Sequence, residues 1–160
     1  MPATSPQLSL RSPGRGGKRA GAGRPRGEKA THHPRPRFRA LPVHTTLRVR
    51  LEIGSLRRKP LFEALAAAIE AGSSRPGFRV AHFAVLGNHL HLVVEAGDQR
   101  SLSRGMQGLS IRMARALNRA LLRSGRVFAD HYNSRPLRTP AELALAVRYV
   151  LDNAGITLGA

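Results

Sequence analysis

The chain has 160 residues, with 27 Lys and Arg against nine Asp and Glu for a formal net charge of +18, and no cysteine. That length allows one domain plus a tail, while the missing cysteines exclude disulfides, thiolate metal sites and a Cys nucleophile. Hydrophobic residues make up 41% but aromatics only 4%, so the core must be built from Leu, Val, Ala and Ile, and no apolar run approaches the ~18 residues of a membrane span.

Only Lys18, Lys29 and Lys59 are lysines, so the charge is carried by arginine, whose planar fork grips phosphate oxygens and stacks on bases. A GC-rich genome explains arginine replacing lysine but not the excess of positive charge. An Arg-dominated cationic chain points to nucleic acid as the partner. With no signal-peptide run and no span, the expected location is the cytoplasm, at the nucleoid.

Residues 1–39 hold ten Lys or Arg and one acid, Glu28, a net +9 and half of the chain's total. Gly, Pro, Ser and Ala fill the gaps, as in GRGGKRAGAGRPRG (14–27), a composition that cannot bury enough apolar surface to offset its ordering entropy. The segment is expected to be a disordered basic arm preceding a domain over 40–160. Within it, Gly23-Arg24-Pro25-Arg26-Gly27 resembles the core of an AT-hook. Arg24 and Arg26 are candidate DNA contacts, in a narrow minor groove or simply along phosphates.

In residues 43–53, Val43, Thr45, Leu47, Val49, Leu51 and Ile53 alternate with polar positions, which predicts a strand. Gly54-Ser55 breaks it, and Ser55 is the expected N-cap of a helix from Leu56 to about Ala71. Residues 72–77 form a loop. FRVAHFAVL (78–86) and HLHLVVEA (89–96) read as two strands joined at Gly87-Asn88, residues that tolerate the positive φ of a tight hairpin. Leu102, Met106, Leu109, Met113, Leu117 and Leu121 mark one face of a helix over 101–123, ended by Ser124-Gly125. Residues 126–138 read as a short strand or an extended segment. Thr139 then caps a last helix to about Asn153, with Pro140 at its first position and Glu142 at its third. The order β-α-β-β-α-(β)-α predicts an α+β fold, a ferredoxin-like or RRM-like antiparallel sheet with helices on one face.

His89-Leu90-His91 is the sharpest chemical feature. Residues i and i+2 of a strand share a face, and imidazoles spaced by about 6–7 Å can converge on one ion. Two hydrogen-bonded sheet histidines would give the same pattern. Tyr149 lies on the last helix, with Asp152 at i+3 and Asn153 at i+4. It is either a core aromatic or a phenolic nucleophile, and a phenol with a pKa near ~10 needs help from a charge on its target. Tyr132, beside His131 and Arg135, is the alternative nucleophile or a base-stacking ring. His44-Thr45-Thr46 contains the His-x-Thr of the 2H phosphoesterases, but its second copy would be His89-x-His91, which lacks the hydroxyl. Arg48, Arg50, Arg135 and Arg138 are candidate phosphate contacts.

The stretches HTTLRVR (44–50), FAVLGNHLHLVVEA (83–96), GMQGLSIRMARALNRAL (105–121), GRVFADHYNSRPLR (125–138) and VRYVLDN (147–153) resemble the single-tyrosine HUH transposases, in particular their REP-associated branch. The resemblance spans about residues 40–155, and Gly87 stands where that family often carries Pro or Ser. It implies that His89 and His91 bind a divalent cation, magnesium or manganese, with Asn153 as third ligand or orienter. It implies that Tyr149 attacks a phosphate of hairpin-bearing single-stranded DNA, leaving a 5′-phosphotyrosine link and a free 3′-hydroxyl. A homodimer with Tyr149 serving its own or its partner's site fits the same resemblance. A domesticated, non-catalytic hairpin or nucleoid binder is the alternative, and an RNA-binding module with the same sheet a more distant one.

Overall fold

The computed structural model describes residues 39–153 and 156–158. The expected arm, with Arg24 and Arg26, therefore lies outside the described residues, apart from Arg39.

Strand β1 (Arg39–Arg48) is followed by α1 (Lys59–Glu70), a two-residue β2 (Ser74–Arg75), β3 (Phe78–Val85), β4 (His89–Asp98), α2 (Gln99–Ala120), β5 (Asn133–Pro136), α3 (Pro140–Asp152) and β6 (Ile156–Thr157). The sheet runs β2-β3-β4-β1-β5, with β6 joined to β3, and every pairing is antiparallel. The α+β antiparallel architecture expected from the sequence is present. Strands β1 and β4 sit at the centre, paired from Arg39↔Asp98 to Arg48↔His89.

Alternation along the central strands separates two faces. Val43, Thr45 and Leu47 of β1 and Leu90, Leu92, Val94 and Ala96 of β4 are buried beneath α1 and α2. Met106, Leu109, Met113 and Leu117 of α2 and Leu61, Leu65 and Ile69 of α1 close this core. Strand β3 keeps its large residues on the same side through a bulge. The register shifts between Val80 and His82, so Phe78 and Val80, then Phe83 and Val85, all enter the core, because one extra residue inverts a period-2 pattern. Gly105 of α2 lies directly over Phe78: a Cβ there would fall inside the ring's van der Waals contact. The missing side chain is what lets α2 approach the sheet.

Helix α3 departs from the expected single layer of helices. Its Val150 packs with Ala84, Val93 and Leu137, flanked by Leu143, Ala146 and Val147. Val93 alternates with the core residues of β4 and so faces the other way. The reason is composition: this second face carries only a small apolar patch, which a helix with one apolar stripe can cover, and doing so brings Tyr149 against the neighbouring histidines.

Boundaries shift where local chemistry overrides periodicity. Strand β1 ends at Arg48 rather than Ile53, because Gly54 takes a positive φ of 73° and residues 51–53 coil into a 3-10 turn; Leu51 is 92% exposed and only Ile53 is buried. Helix α1 starts at Lys59, not Leu56. A start at Leu56 would put Pro60 where its absent N–H and its ring would break the helix, whereas a start at Lys59 leaves it in the first turn. Helix α2 starts two residues early because Asp98 Oδ1 accepts the Ser101 N–H at 2.7 Å, and it stops short of Arg123 as Leu122 turns to φ 50°. Helix α3 carries the expected capping box between Thr139 and Glu142. Strands β2 and β6 were not expected. No helix among the described residues is long and apolar enough to cross a membrane.

Candidate nucleic-acid processing site

The face of the sheet opposite the main core carries His44, Thr46 and Arg48 from β1, next to His91 and His89 from β4. Antiparallel pairing sets Thr46 against His91 and Arg48 against His89, and β5 adds Arg135 opposite His44. Three imidazoles therefore share one patch. The His89 and His91 rings lie 4.8 Å apart at 82°, leaning together from the along-strand spacing. The His44 and His91 rings lie nearly parallel, 13° apart, with centroids at 5.1 Å.

Each histidine of the His-x-His pair is anchored through Nδ1. Nδ1 of His89 donates to Asn88 Oδ1 at 2.7 Å, which leaves the lone pair on Nε2. Nδ1 of His91 lies 3.1 Å from His44 Nε2 and 3.3 Å from Thr46 Oγ1. His91 is only 7% exposed, and its Nε2 is buried without a hydrogen-bond partner. An unsatisfied buried nitrogen is costly unless something else uses it. Burial, then the neighbouring His44 and His89, push the His91 pKa down to about 4. Burial and the Arg135 charge lower His44; burial and the Arg48 charge lower His89. All three imidazoles therefore favour the neutral, lone-pair-bearing form.

Tyr149 meets this patch from α3. Its ring stands edge-on to His91 at 5.0 Å and 86°, and 6.3 Å from His44. The tyrosine is 45% exposed, so its hydroxyl is not consumed by core packing. His44, His91, Tyr149, Arg135, Glu142 and Asp152 line an open pocket between the sheet and α3. Tyr132 is elsewhere: it packs on the main core and lines a different cleft against α2, with Ser103 Oγ 3.5 Å from its hydroxyl. Tyr149 is thus the tyrosine beside the histidines.

The other candidates divide. Arg48 and Arg135 flank the histidines, Arg135 also pairing with Glu142 at 3.0 Å. Arg50 has left the strand and pairs with Glu52. The exposed Arg138 gives its backbone N–H to Glu142 Oε2 at 2.7 Å. Asn153 donates its side-chain amide to the Tyr149 carbonyl at 2.8 Å; Asp152, not Asn153, is the residue of this turn that lines the pocket. Among the described residues no three His, Asp or Glu side chains converge as a complete metal cluster. The donor set fits a cation held by two imidazole nitrogens whose remaining positions are filled by oxygens from outside the chain, a set better matched to manganese than to magnesium.

His44 and Thr46 were missed as parts of this site. The period-2 pattern of β1 does put them, with Arg48, on the face away from Val43 and Leu47. No local signal says that β1 lies beside β4.

No protein-family model and no curated protein matches the sequence. Solved structures do match. The fold is that of a REP-associated tyrosine transposase. That protein, solved bound to a REP hairpin, superposes with a TM-score of 0.60 at 17% identity, over 78% of this chain and 72% of its own. A Deinococcus radiodurans chain assigned as a transposase superposes at 0.52 and 15% identity, over 76% of this chain and 96% of its own. At these identities the likeness is one of fold, and it agrees with the resemblance carried by the motifs.

Proposed function

We propose that this chain is a DNA-strand transferase of the tyrosine transposase type, cleaving and rejoining hairpin-bearing single-stranded DNA at the nucleoid. The observation that carries the reading is the unpartnered, neutral Nε2 of His91 buried beside the half-exposed ring of Tyr149. A structural histidine would satisfy that nitrogen, and a structural tyrosine would bury its ring.

A divalent cation would be held by His89 and His91, with its remaining positions filled by oxygens from outside the chain because Asn153 is engaged with the Tyr149 carbonyl, and would supply charge neutralisation on the scissile phosphate. The chain's own residues do the rest. Tyr149 Oη forms a bond to phosphorus as the bond to the 3′-oxygen breaks; the phenol loses its proton and the departing oxygen gains one. The product is a 5′-phosphotyrosine link and a free 3′-hydroxyl, and reversal with a new 3′-hydroxyl rejoins the strand. Arg48 and Arg135, on either side of the histidines, suit phosphates flanking the scissile bond. Helix α3, seated on the sheet by Val150 and its neighbours, holds the nucleophile near its target, where positioning contributes most of the acceleration.

The test is incubation of the protein with labelled hairpin-bearing single strands from its own genomic flanks, with manganese or with chelator. A covalent protein–DNA adduct that needs the metal supports the reading. A second reading, a hairpin-binding protein without catalysis, is favoured by the incomplete cluster of protein ligands and by the engagement of Asn153 with the Tyr149 carbonyl. Tight binding with no adduct on any strand selects it.

A further inference from the structure

His91 can present a lone pair at Nε2 only if its proton sits on Nδ1, so the groups at Nδ1 decide whether the buried nitrogen is a ligand or an N–H. Two groups lie there: His44 Nε2 at 3.1 Å and Thr46 Oγ1 at 3.3 Å. The threonine hydroxyl rotates and can donate or accept, so it serves either tautomer. The His44 nitrogen is different, because a ring nitrogen holds either a proton or a lone pair and its orientation is set by the ring. His44 is held nearly coplanar with His91, its ring centroid 5.1 Å away, and edge-on to Tyr149 at 6.3 Å. The chain thus has a third imidazole in line behind the first, at a position where the His-x-His pair alone gives no reason for one.

We propose that His44 is a positioning residue: its Nε2 accepts the Nδ1–H of His91 and so fixes the tautomer in which the buried, unpartnered Nε2 carries the lone pair. The inference rests on the reading of His91 as a cation ligand for its purpose, though not for its test. It gives His91 the same arrangement that Asn88 gives His89, an acceptor on Nδ1 and a free Nε2. Outer partners of this kind orient metal-binding imidazoles and raise their basicity. It also explains why a bare pair of sheet histidines is accompanied by a β1 histidine 47 residues away in sequence.

The experiment uses the full chain, free of DNA and metal. Long-range proton–nitrogen correlation spectra of the labelled imidazoles report which nitrogen of His91 carries the proton. The expected result is a proton on Nδ1 in the wild type. His44→Phe keeps an aromatic ring but removes the acceptor, and should move the proton substantially to Nε2. His44→Gln restores a carbonyl acceptor and should return it. Manganese affinity, read by electron paramagnetic resonance of the free ion, should fall about tenfold or more in His44→Phe and recover in His44→Gln to within about threefold of wild type. A wild-type proton on His91 Nε2 overturns the proposal, and needs no variant to fold. So does a His44→Phe protein in which neither tautomer nor affinity changes. If the tautomer follows His44 while even the wild type binds no manganese, the positioning role stands and the metal reading fails.

Discussion

His91 and Tyr149 meet edge to face, their ring centroids 5.0 Å apart, across the boundary between the central strand β4 and the last helix. The two residues come from elements with different periods, and their contact joins a buried ligand-type nitrogen to a half-exposed phenol. Tyr149→Phe keeps this ring contact and removes only the hydroxyl. It should abolish the covalent adduct on denaturing gels while hairpin affinity, followed by fluorescence anisotropy, stays within about twofold, since the lost hydroxyl is worth little in ground-state binding. Surviving cleavage would transfer the nucleophile's role to Tyr132.

Glu142 ties α3 to the sheet edge. Its carboxylate accepts the backbone N–H groups of Arg138 and Thr139 and pairs with Arg135 of β5, contacts that hold its pKa below the usual carboxylate range. Glu142→Ala removes half of the capping box and should lower the urea unfolding midpoint. Its effect on strand cleavage should exceed its effect on hairpin binding, because the helix it anchors carries Tyr149.

Acid should loosen the domain in a defined window. His91 titrates near pH 4 in the fold, chiefly through burial, and at about 6.5 when unfolded. Between those values the unfolded chain binds the extra proton, so stability rises with pH. The contribution is fully present above about pH 6.5 and is lost as pH falls towards 4, with His44 and His89 acting in the same direction. The urea midpoint of the metal-free protein should drop between pH 7 and 4.5 by the equivalent of roughly 2 kcal/mol, and His91→Asn should flatten that dependence.

Gly105→Ala should be among the most damaging small substitutions. The added methyl collides with the Phe78 ring under α2, and neither a core ring nor a packed helix moves without loss. A destabilisation of about 1–3 kcal/mol is expected from thermal melting, despite alanine's better helix propensity. An unchanged melting temperature would mean that the Phe78 ring turns aside without loss of packing.

The basic N-terminal segment should contribute affinity without sequence preference. Arg24→Ala with Arg26→Ala removes two of the 27 basic residues. If both meet phosphates, the slope of log affinity against log salt should become shallower by about 1–2, with similar losses on hairpins of different sequence. A loss confined to A·T-rich duplex would assign these arginines to the minor groove instead.

The amino-acid sequence by itself determined the longer elements and much of the site's inventory. Alternation in HLHLVVEA is enough to put His89 and His91 on one face and their leucines on the other, and Thr139, Pro140 and Glu142 are enough to start α3. These are properties of neighbouring residues, and backbone period and capping chemistry read them directly. Only the tertiary structure decided that β1 lies beside β4 and β5, which brings His44, Thr46 and Arg135 to His91, and that α3 covers the histidine face. It also turned Asp152 rather than Asn153 toward the pocket. His44 and His91 are 47 residues apart, and no local period encodes a pairing at that distance. It is set by which apolar faces can be buried together once the whole chain has collapsed.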